Sequence, residues 1–252
     1  PHPAPDPGAW NWPDDAMETL DGVSGRSLGS DLRAALPTVG RDLAYTFRQP
    51  RNWLILAGEY VVSEYTDTLG LEEPTERYFN RNRVYSSGIS STVEKLGQGY
   101  VLFGAAAGWY LWADAKGYDE SVNHSQRLMR SLASTGVSTL IIKSASKDDR
   151  PNGGTNAFPS GHTSMATTAA ASLWYSYGYK VGIPAALLAA SVAVQRLDSK
   201  AHSLDDIVGG VGLGWLIASQ VAKRSSLEVM GAQVLPHVDG EGTVGITLLW
   251  SR

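Results

Sequence analysis

Apolar positions recur from about residue 39 to residue 223 with the three-and-four spacing of buried helix faces, and short gaps bearing Gly or Pro divide the runs. The spacing predicts helices over 39–48, 51–66 and 74–82, the first two parted by Gln49-Pro50. In the second, Trp53, Leu54, Leu56, Ala57, Tyr60 and Val61 share helical spacing. A longer helix is expected over 91–115, ending before Gly117, and another from Ser121 toward Lys143 or beyond. Two more are expected at 162–177 and 182–194, split by Gly178 and the second opened at Pro184, and a last from Ser203 to about Lys223. Residues 1–38, rich in Pro, Gly and Asp, read as an extended arm with one short helix near Leu28 to Leu36. At the other end, residues 229–250 read as two extended runs around Asp239-Gly240-Glu241-Gly242. A lone hairpin is marginally stable, so this one must pair or pack. The expected fold is all-α, a helical bundle with a small C-terminal β-hairpin, divided as 1–38, 39–224 and 225–252.

The same pattern bears on membranes. The stretches VLFGAAAGWYLWA, VGIPAALLAASVAV and IVGGVGLGWLIA fall short of the roughly 20 residues a span needs, so they read as buried core helices. Residues 158–179 are long enough and carry no Lys, Arg, Asp or Glu, but their Ser, Thr and Tyr content disfavours lipid exposure. A soluble or membrane-peripheral body is therefore expected. Trp53, Trp109, Trp112 and Trp174 are assigned to core packing. Trp10 and Trp12 in the arm and the terminal run TVGITLLW are candidate edges for a membrane surface or a homo-oligomer. The opening PHPAPDPG lacks the basic head and apolar stretch of a signal peptide. Removal of such a peptide is the favoured explanation, which places the protein in the periplasm or elsewhere outside the cytoplasm.

Composition removes several function classes. With 252 residues and 43% hydrophobic content the chain can bury a substantial core. The formal net charge is −4, so a broad nucleic-acid footprint is excluded and any anion must be held by a local cluster of cations. Without cysteine there is no thiolate nucleophile, disulfide or Cys-based zinc site.

Three segments carry chemistry. In KSASKDDRP, Lys143 and Arg150 are seven residues apart, which on a helix is one face and about 10.5 Å of axial rise. Pro151 disfavours helical geometry at Arg150, so its guanidinium is released past the helix end; taken alone, a solvated charge run is the favoured account of the segment. In Pro159-Ser160-Gly161-His162 a helix start offers free N–H groups and its positive dipole end, and Gly161 permits close approach. A plain N-cap with an incidental histidine is the competing account. In QRLDSKAHSLDD, His202 and Asp206 lie one turn apart if the helix begins near Ser203, so a carboxylate orients one imidazole nitrogen and leaves the other outward. A capping box between Ser203 and Asp206 also explains that spacing. Together, three cations (with Arg196), two histidines, an orienting carboxylate and a Gly-bearing helix start lie within 64 residues. Phosphoryl transfer needs that set: dispersed positive charge, an in-line nucleophile and a proton for the leaving oxygen.

These three motifs, in this order and spacing, resemble the signature of the type 2 phosphatidic acid phosphatase superfamily, which includes lipid phosphate phosphatases, class A nonspecific acid phosphatases and vanadium-dependent haloperoxidases. The resemblance covers roughly residues 90–222. It implies that Lys143, Arg150 and Arg196 clamp phosphate with the backbone at Ser160 and Gly161. His202 would form a phosphohistidine, Asp206 would fix its tautomer, and His162 would protonate the leaving alkoxide and then activate water. Two departures stand out: Gln195 occupies a position that is usually Ser, and the NGGTNAF stretch is short and, with Asn152, Gly153 and Gly154, reads as mobile. The resemblance implies a phosphatase working without metal or cofactor on monoesters or on lipid or isoprenyl (pyro)phosphates, with a phosphorylated small molecule or lipid head group as partner. The alternatives are a vanadate-dependent haloperoxidase, with vanadate as cofactor rather than inhibitor, and a noncatalytic phosphate-binding module at a membrane surface. His2, His124 and His237 are scattered and are assigned structural or exposed roles.

Overall fold

The computed structural model describes residues 28–146, 148–229, 232–238 and 244–250. Trp10, Trp12, His2 and the Asp239–Gly242 turn therefore lie outside the described residues. The described helices are α1 (Leu28–Arg48), α2 (Pro50–Thr68), α3 (Glu72–Arg81), α4 (Ser87–Leu96), α5 (Gly99–Lys116), α6 (Asp119–Ser146), α7 (Gly161–Tyr177), α8 (Tyr179–Asp198) and α9 (Leu204–Val229). Strands β1 (Ala232–Val238) and β2 (Val244–Trp250) pair antiparallel, with Ala232 opposite Trp250 and Val238 opposite Val244. The fold is all-α apart from this hairpin. The chain divides into a unit of Pro37–Ser226 and a second unit holding the residues up to Leu36 and those from Leu227 onward.

Within Pro37–Ser226, α7 is the central helix, and α5, α6 and α8 pack on it. Its inner positions are small or hydroxylated: Ala166, Ala169, Ala170 and Ala171 are buried beside Thr163, Ser164, Thr167 and Thr168. Small residues let helix backbones approach, and the buried hydroxyls must then find partners across the interface. Two of them do: Thr168 shares a hydrogen bond of 2.8 Å with Thr135, and Ser164 one of 3.1 Å with Thr139. On α9, Gly210 and Gly214 present bare backbone to α7. A Cβ at Gly210 would stand 2.9 Å from the Ser160 carbonyl oxygen, and one at Gly214 would collide with the Ser164 carbonyl. Neither carbonyl can yield without moving the helix that carries the site. Gly214→Ala is thus expected to destabilise the protein by about 1–3 kcal/mol, the usual cost of overpacking. A thermal midpoint equal to wild type would refute this packing.

Farther along the bundle, the buried Asp42 carboxylate accepts from Arg130 Nε at 2.8 Å and from Arg130 and Arg224 terminal nitrogens, tying α1, α6 and α9. A buried charge is tolerable only when paired and hydrogen-bonded in this way.

Several boundaries differ from the sequence reading. The segments 28–36 and 39–48 are one helix, because Pro37 lies on an exposed side and forfeits a single hydrogen bond without ending the run. The helix expected at 91–115 is two, broken at Gly97, whose backbone lies against Val192 and His162. Helix α8 starts at Tyr179 rather than near Pro184: Gly178 at φ 70° turns the chain, and Gly182 makes room for the Trp174 ring. The apolar stretches are also less buried than expected. Trp53, Leu54, Tyr60, Val61 and Trp112 are exposed, as are Ile183, Leu187 and Leu188 on α8. With its flanks included, α8 is 20 residues long, and among the described residues it is the one helix long and apolar enough to cross a membrane. The expectation that every such stretch is too short fails there, since the helical frame extends beyond the apolar run.

Candidate active site

Helix α6 ends at Ser146, four residues before Arg150, so Lys143 leaves from the last helical turn and Arg150 from the following loop. Lys143 Nζ donates to the carbonyls of Asn156 and Ala157 at 2.7 and 2.6 Å, which anchors the ammonium under the 156–160 segment. The loop is a hydrogen-bonded turn: Arg150 N–H donates to the Gly154 carbonyl at 2.7 Å, Gly153 N–H to the Arg150 carbonyl at 2.9 Å, and Gly154 N–H to the Asn152 side chain at 3.1 Å. Gly153 has φ 83°, where glycine is favoured. Arg150 Nε is buried and has no acceptor among the described residues.

At the start of α7, Ser160 is the N-cap and its hydroxyl oxygen accepts from Thr163 N–H and from Thr163 Oγ1, the latter at 2.9 Å. Its own hydroxyl proton stays available. Ser160 N–H is already donated to the Asp206 carbonyl at 2.9 Å, so its backbone is unavailable to an anion. The expected backbone cradle therefore narrows to the Gly161 end of the helix, where the first-turn N–H groups lack intrahelical acceptors. A Cβ at Gly161 would meet Lys143 Cε at 3.8 Å, which puts the helix start and the lysine side by side.

His202 and Asp206 are both buried, and Nδ1 of His202 lies 2.9 Å from Asp206 Oδ2. A carboxylate only accepts, so Nδ1 carries the proton and Nε2 keeps its lone pair. The same Oδ2 accepts Ser203 N–H at 3.2 Å, so the capping contact and the orienting contact coexist. His162 is the complement. Its Nδ1 faces an Arg196 terminal nitrogen at 3.5 Å, and arginine only donates, so the ring proton sits on Nε2, which is buried without a partner among the described residues. The site thus pairs a lone-pair nitrogen with a proton-bearing one.

Burial and the neighbouring cations set the proton affinities. His162 is pushed down to about 4 by burial, then by Arg196, with Glu94 opposing. Lys143 is pushed down to about 8 by burial and by Arg150, while Asp206 and Asp148 oppose. Burial lowers His202 against the pull of Asp206. A bound dianion would reverse these shifts, since an opposite charge favours the protonated forms.

Residues 111–226 match the sequence model of the family described as the PAP2 superfamily. Over that segment, just under half of the chain, the protein is similar to the PAP2 superfamily. Among curated proteins and among solved structures, nothing matches the chain. The PAP2 segment runs from α5 into α9 and includes all eight residues singled out from the sequence: Lys143, Arg150, Ser160, Gly161, His162, Arg196, His202 and Asp206.

Beside His202, a cleft of about 120 Å³ opens between α3 and the 197–204 segment, lined by Thr75, Phe79, Pro151, Leu197 and Leu204 among others. Asp148, Asp205 and Asp206 bring carboxylate oxygens within 4.8 Å of one another, the one group among the described residues with a donor set for a metal ion. Lys143 shares their field and Asp206 is engaged with His202 and Ser203, so this acidic group acts first on the site's own charges. Phosphate affinity should follow the lysine. Lys143 is charged below about pH 8 and loses that charge above it, so the inhibition constant of inorganic phosphate should rise above that pH, by up to about tenfold per unit. Lys143→Met should remove that dependence; an identical slope in the variant would show that another group titrates.

The sequence reading missed Ser90, Glu94 and the way Gln195 is used. Arg196 Nε donates to Gln195 Oε1 at 2.7 Å, Gln195 Nε2 donates to Ser90 Oγ at 3.0 Å, and an Arg196 terminal nitrogen pairs with Glu94 Oε1 at 3.1 Å. The amide at 195 was the available signal, because a buried amide beside an arginine needs partners for both its ends.

Proposed function

We propose that this PAP2-like protein is a phosphatase that transfers the phosphoryl group of a monoester, or the terminal phosphate of a lipid or pyrophosphate, to His202 and then to water. The observation that carries the reading is the pairing of His202, whose Nε2 lone pair is set by Asp206, with His162, whose Nε2 has no partner among the described residues. Lys143, Arg150 and Arg196 supply the dispersed positive charge that the equatorial oxygens need.

In the first half-reaction, the His202 Nε2 lone pair forms the N–P bond while the P–O bond to the leaving group breaks. The departing oxygen takes the bond's electron pair and the Nε2 proton of His162 in its imidazolium form, which leaves a neutral ring; the substrate monoanion supplies the second proton that makes the imidazolium. Asp206 stabilises the charge that develops on the His202 ring. In the second half, water attacks phosphorus and gives its proton to His162, and the N–P electron pair returns to His202. The similarity to the PAP2 superfamily supports phosphatase-type chemistry at the coarse level. The exposed, charge-poor face of α8 supports a place at or near a membrane, with a lipid head group or a soluble phosphate as substrate.

A phosphate-release screen over sugar phosphates, nucleotides, isoprenyl pyrophosphate and lipid phosphates tests the reading, with His202→Ala as control. Release by wild type alone supports it. No release from any of them, or equal release by the variant, sinks it. Orthovanadate should inhibit the release; vanadate-dependent bromination by peroxide would favour the haloperoxidase alternative instead.

A further inference from the structure

The phosphate cradle described so far comes from α6 to α9, yet its most buried cation is held from outside the PAP2 match. Helix α4 ends at Leu96, before residue 111. Ser90 and Glu94 are four residues apart on it, hence on one face, and that face meets α8 at Gln195 and Arg196, which are 1% and 5% exposed. The result is a closed set of contacts. Ser90 fixes the Gln195 amide, the amide fixes Arg196 Nε, and Glu94 takes an Arg196 terminal nitrogen. A guanidinium held at both edges has little rotational freedom left to lose when an anion arrives, and pre-organisation of this kind raises affinity without new contacts to the ligand.

The same carboxylate bears on the acid. The charged groups that face His162 are Arg196 from α8, Arg150 from the loop after α6, His202 from the segment before α9, and Glu94 from α4. Three of the four disfavour a proton on His162, and Glu94 is the exception. Gly97 brings α4 close enough for this, since a Cβ there would stand 3.0 Å from His162 Cβ. An exposed carboxylate near an anion site would ordinarily repel the substrate. Glu94 is half-buried and paired to Arg196, so its charge is largely spent on the groups it positions.

We propose that α4 is part of the phosphate site: Ser90 through Gln195, and Glu94 directly, hold Arg196 in the plane that serves the anion, and Glu94 helps keep on His162 the proton that the leaving oxygen requires. The proposal rests on the phosphatase reading above, and it makes Ser90, Gln195 and Glu94 positioning residues rather than catalytic ones.

Charge and geometry can be separated by substitution. Glu94→Gln keeps an oxygen acceptor for Arg196 and removes the charge. It should leave KM within a few-fold of wild type but move the alkaline limb of kcat down by about one pH unit, the usual size of one close opposite charge. Glu94→Ala removes both and should also raise KM roughly tenfold, as the loss of a charge-assisted hydrogen bond does. Ser90→Ala, which carries no charge, should raise KM and leave the limb in place. Glu73→Gln, on an exposed pair with Arg77, is the control and should change neither.

An imidazole NMR titration of His162 in protein saturated with inorganic phosphate reads the same proton without turnover. Its midpoint should fall in Glu94→Gln. An unmoved limb and midpoint in that variant, with unchanged KM in Glu94→Ala, would overturn the proposal. If no substrate is turned over but phosphate binds, the titration still decides the role of Glu94 while the phosphatase reading falls. If the wild type binds neither phosphate nor vanadate, both fall together.

Discussion

His202→Ala is expected to abolish phosphate release, a loss of roughly 10⁴-fold or more by comparison with removal of other activated nucleophiles. The imidazole is buried, lines the cleft and has one ring nitrogen committed to Asp206. No other nucleophile in the cradle is held this way. Lys143 is engaged with two carbonyls and must stay charged to bind phosphate, and the Ser160 oxygen already accepts twice from Thr163. A rapid acid-free quench of wild type with labelled substrate should trap phosphate on the protein in an acid-labile, base-stable form, and His202→Ala should trap none. Asp206→Asn should be slower by roughly 10³-fold, because an amide can pair with either tautomer and no longer stabilises the cation. Undiminished labelling in His202→Ala would move the nucleophile elsewhere.

The site motifs were legible because each is short and continuous. Ser160-Gly161-His162 is a helix start, and His202 and Asp206 are one turn apart, so local rules place both without knowledge of the fold. What was not legible depends on contacts across the chain. Ser90 and Glu94 carry no signal of their own in the sequence, and their part emerges only when Gln195, 105 residues away, is seen against Ser90. The break at Gly97 has the same origin: nothing in GQG requires it, but the approach of α4 to His162 and Val192 does. Burial was misjudged on α2 and α8 because helical spacing of apolar residues says which side they share, not what covers that side. Trp53 and Leu187 are on such faces and are exposed.

His162→Ala should divide substrates by their leaving groups. An alkyl phosphate needs a proton on its departing oxygen and should lose roughly 10²- to 10⁴-fold in kcat, the usual contribution of a general acid. A nitrophenyl phosphate leaves as a stable anion and should be slowed far less, chiefly in the second half-reaction, where the same imidazole activates water. Equal losses with both would remove the acid role. The pH dependence follows from the proton count. In the free enzyme His162 is charged only below about 4, whereas a phosphate monoester holds its second proton up to about pH 6. A neutral His162 meeting a substrate monoanion carries the same proton as a charged His162 facing the dianion. The productive ionisation state therefore peaks between those values, and kcat/KM should fall below about 4 as His162 binds a proton of its own and above about 6 as the substrate loses its proton. Once the dianion is bound, its charge raises the proton affinity of His162, so the alkaline limb of kcat should lie at higher pH than that of kcat/KM. With a nitrophenyl substrate, His162→Ala should lose the acid limb of kcat/KM near 4; retention of that limb would assign it to His202, whose proton affinity burial also lowers.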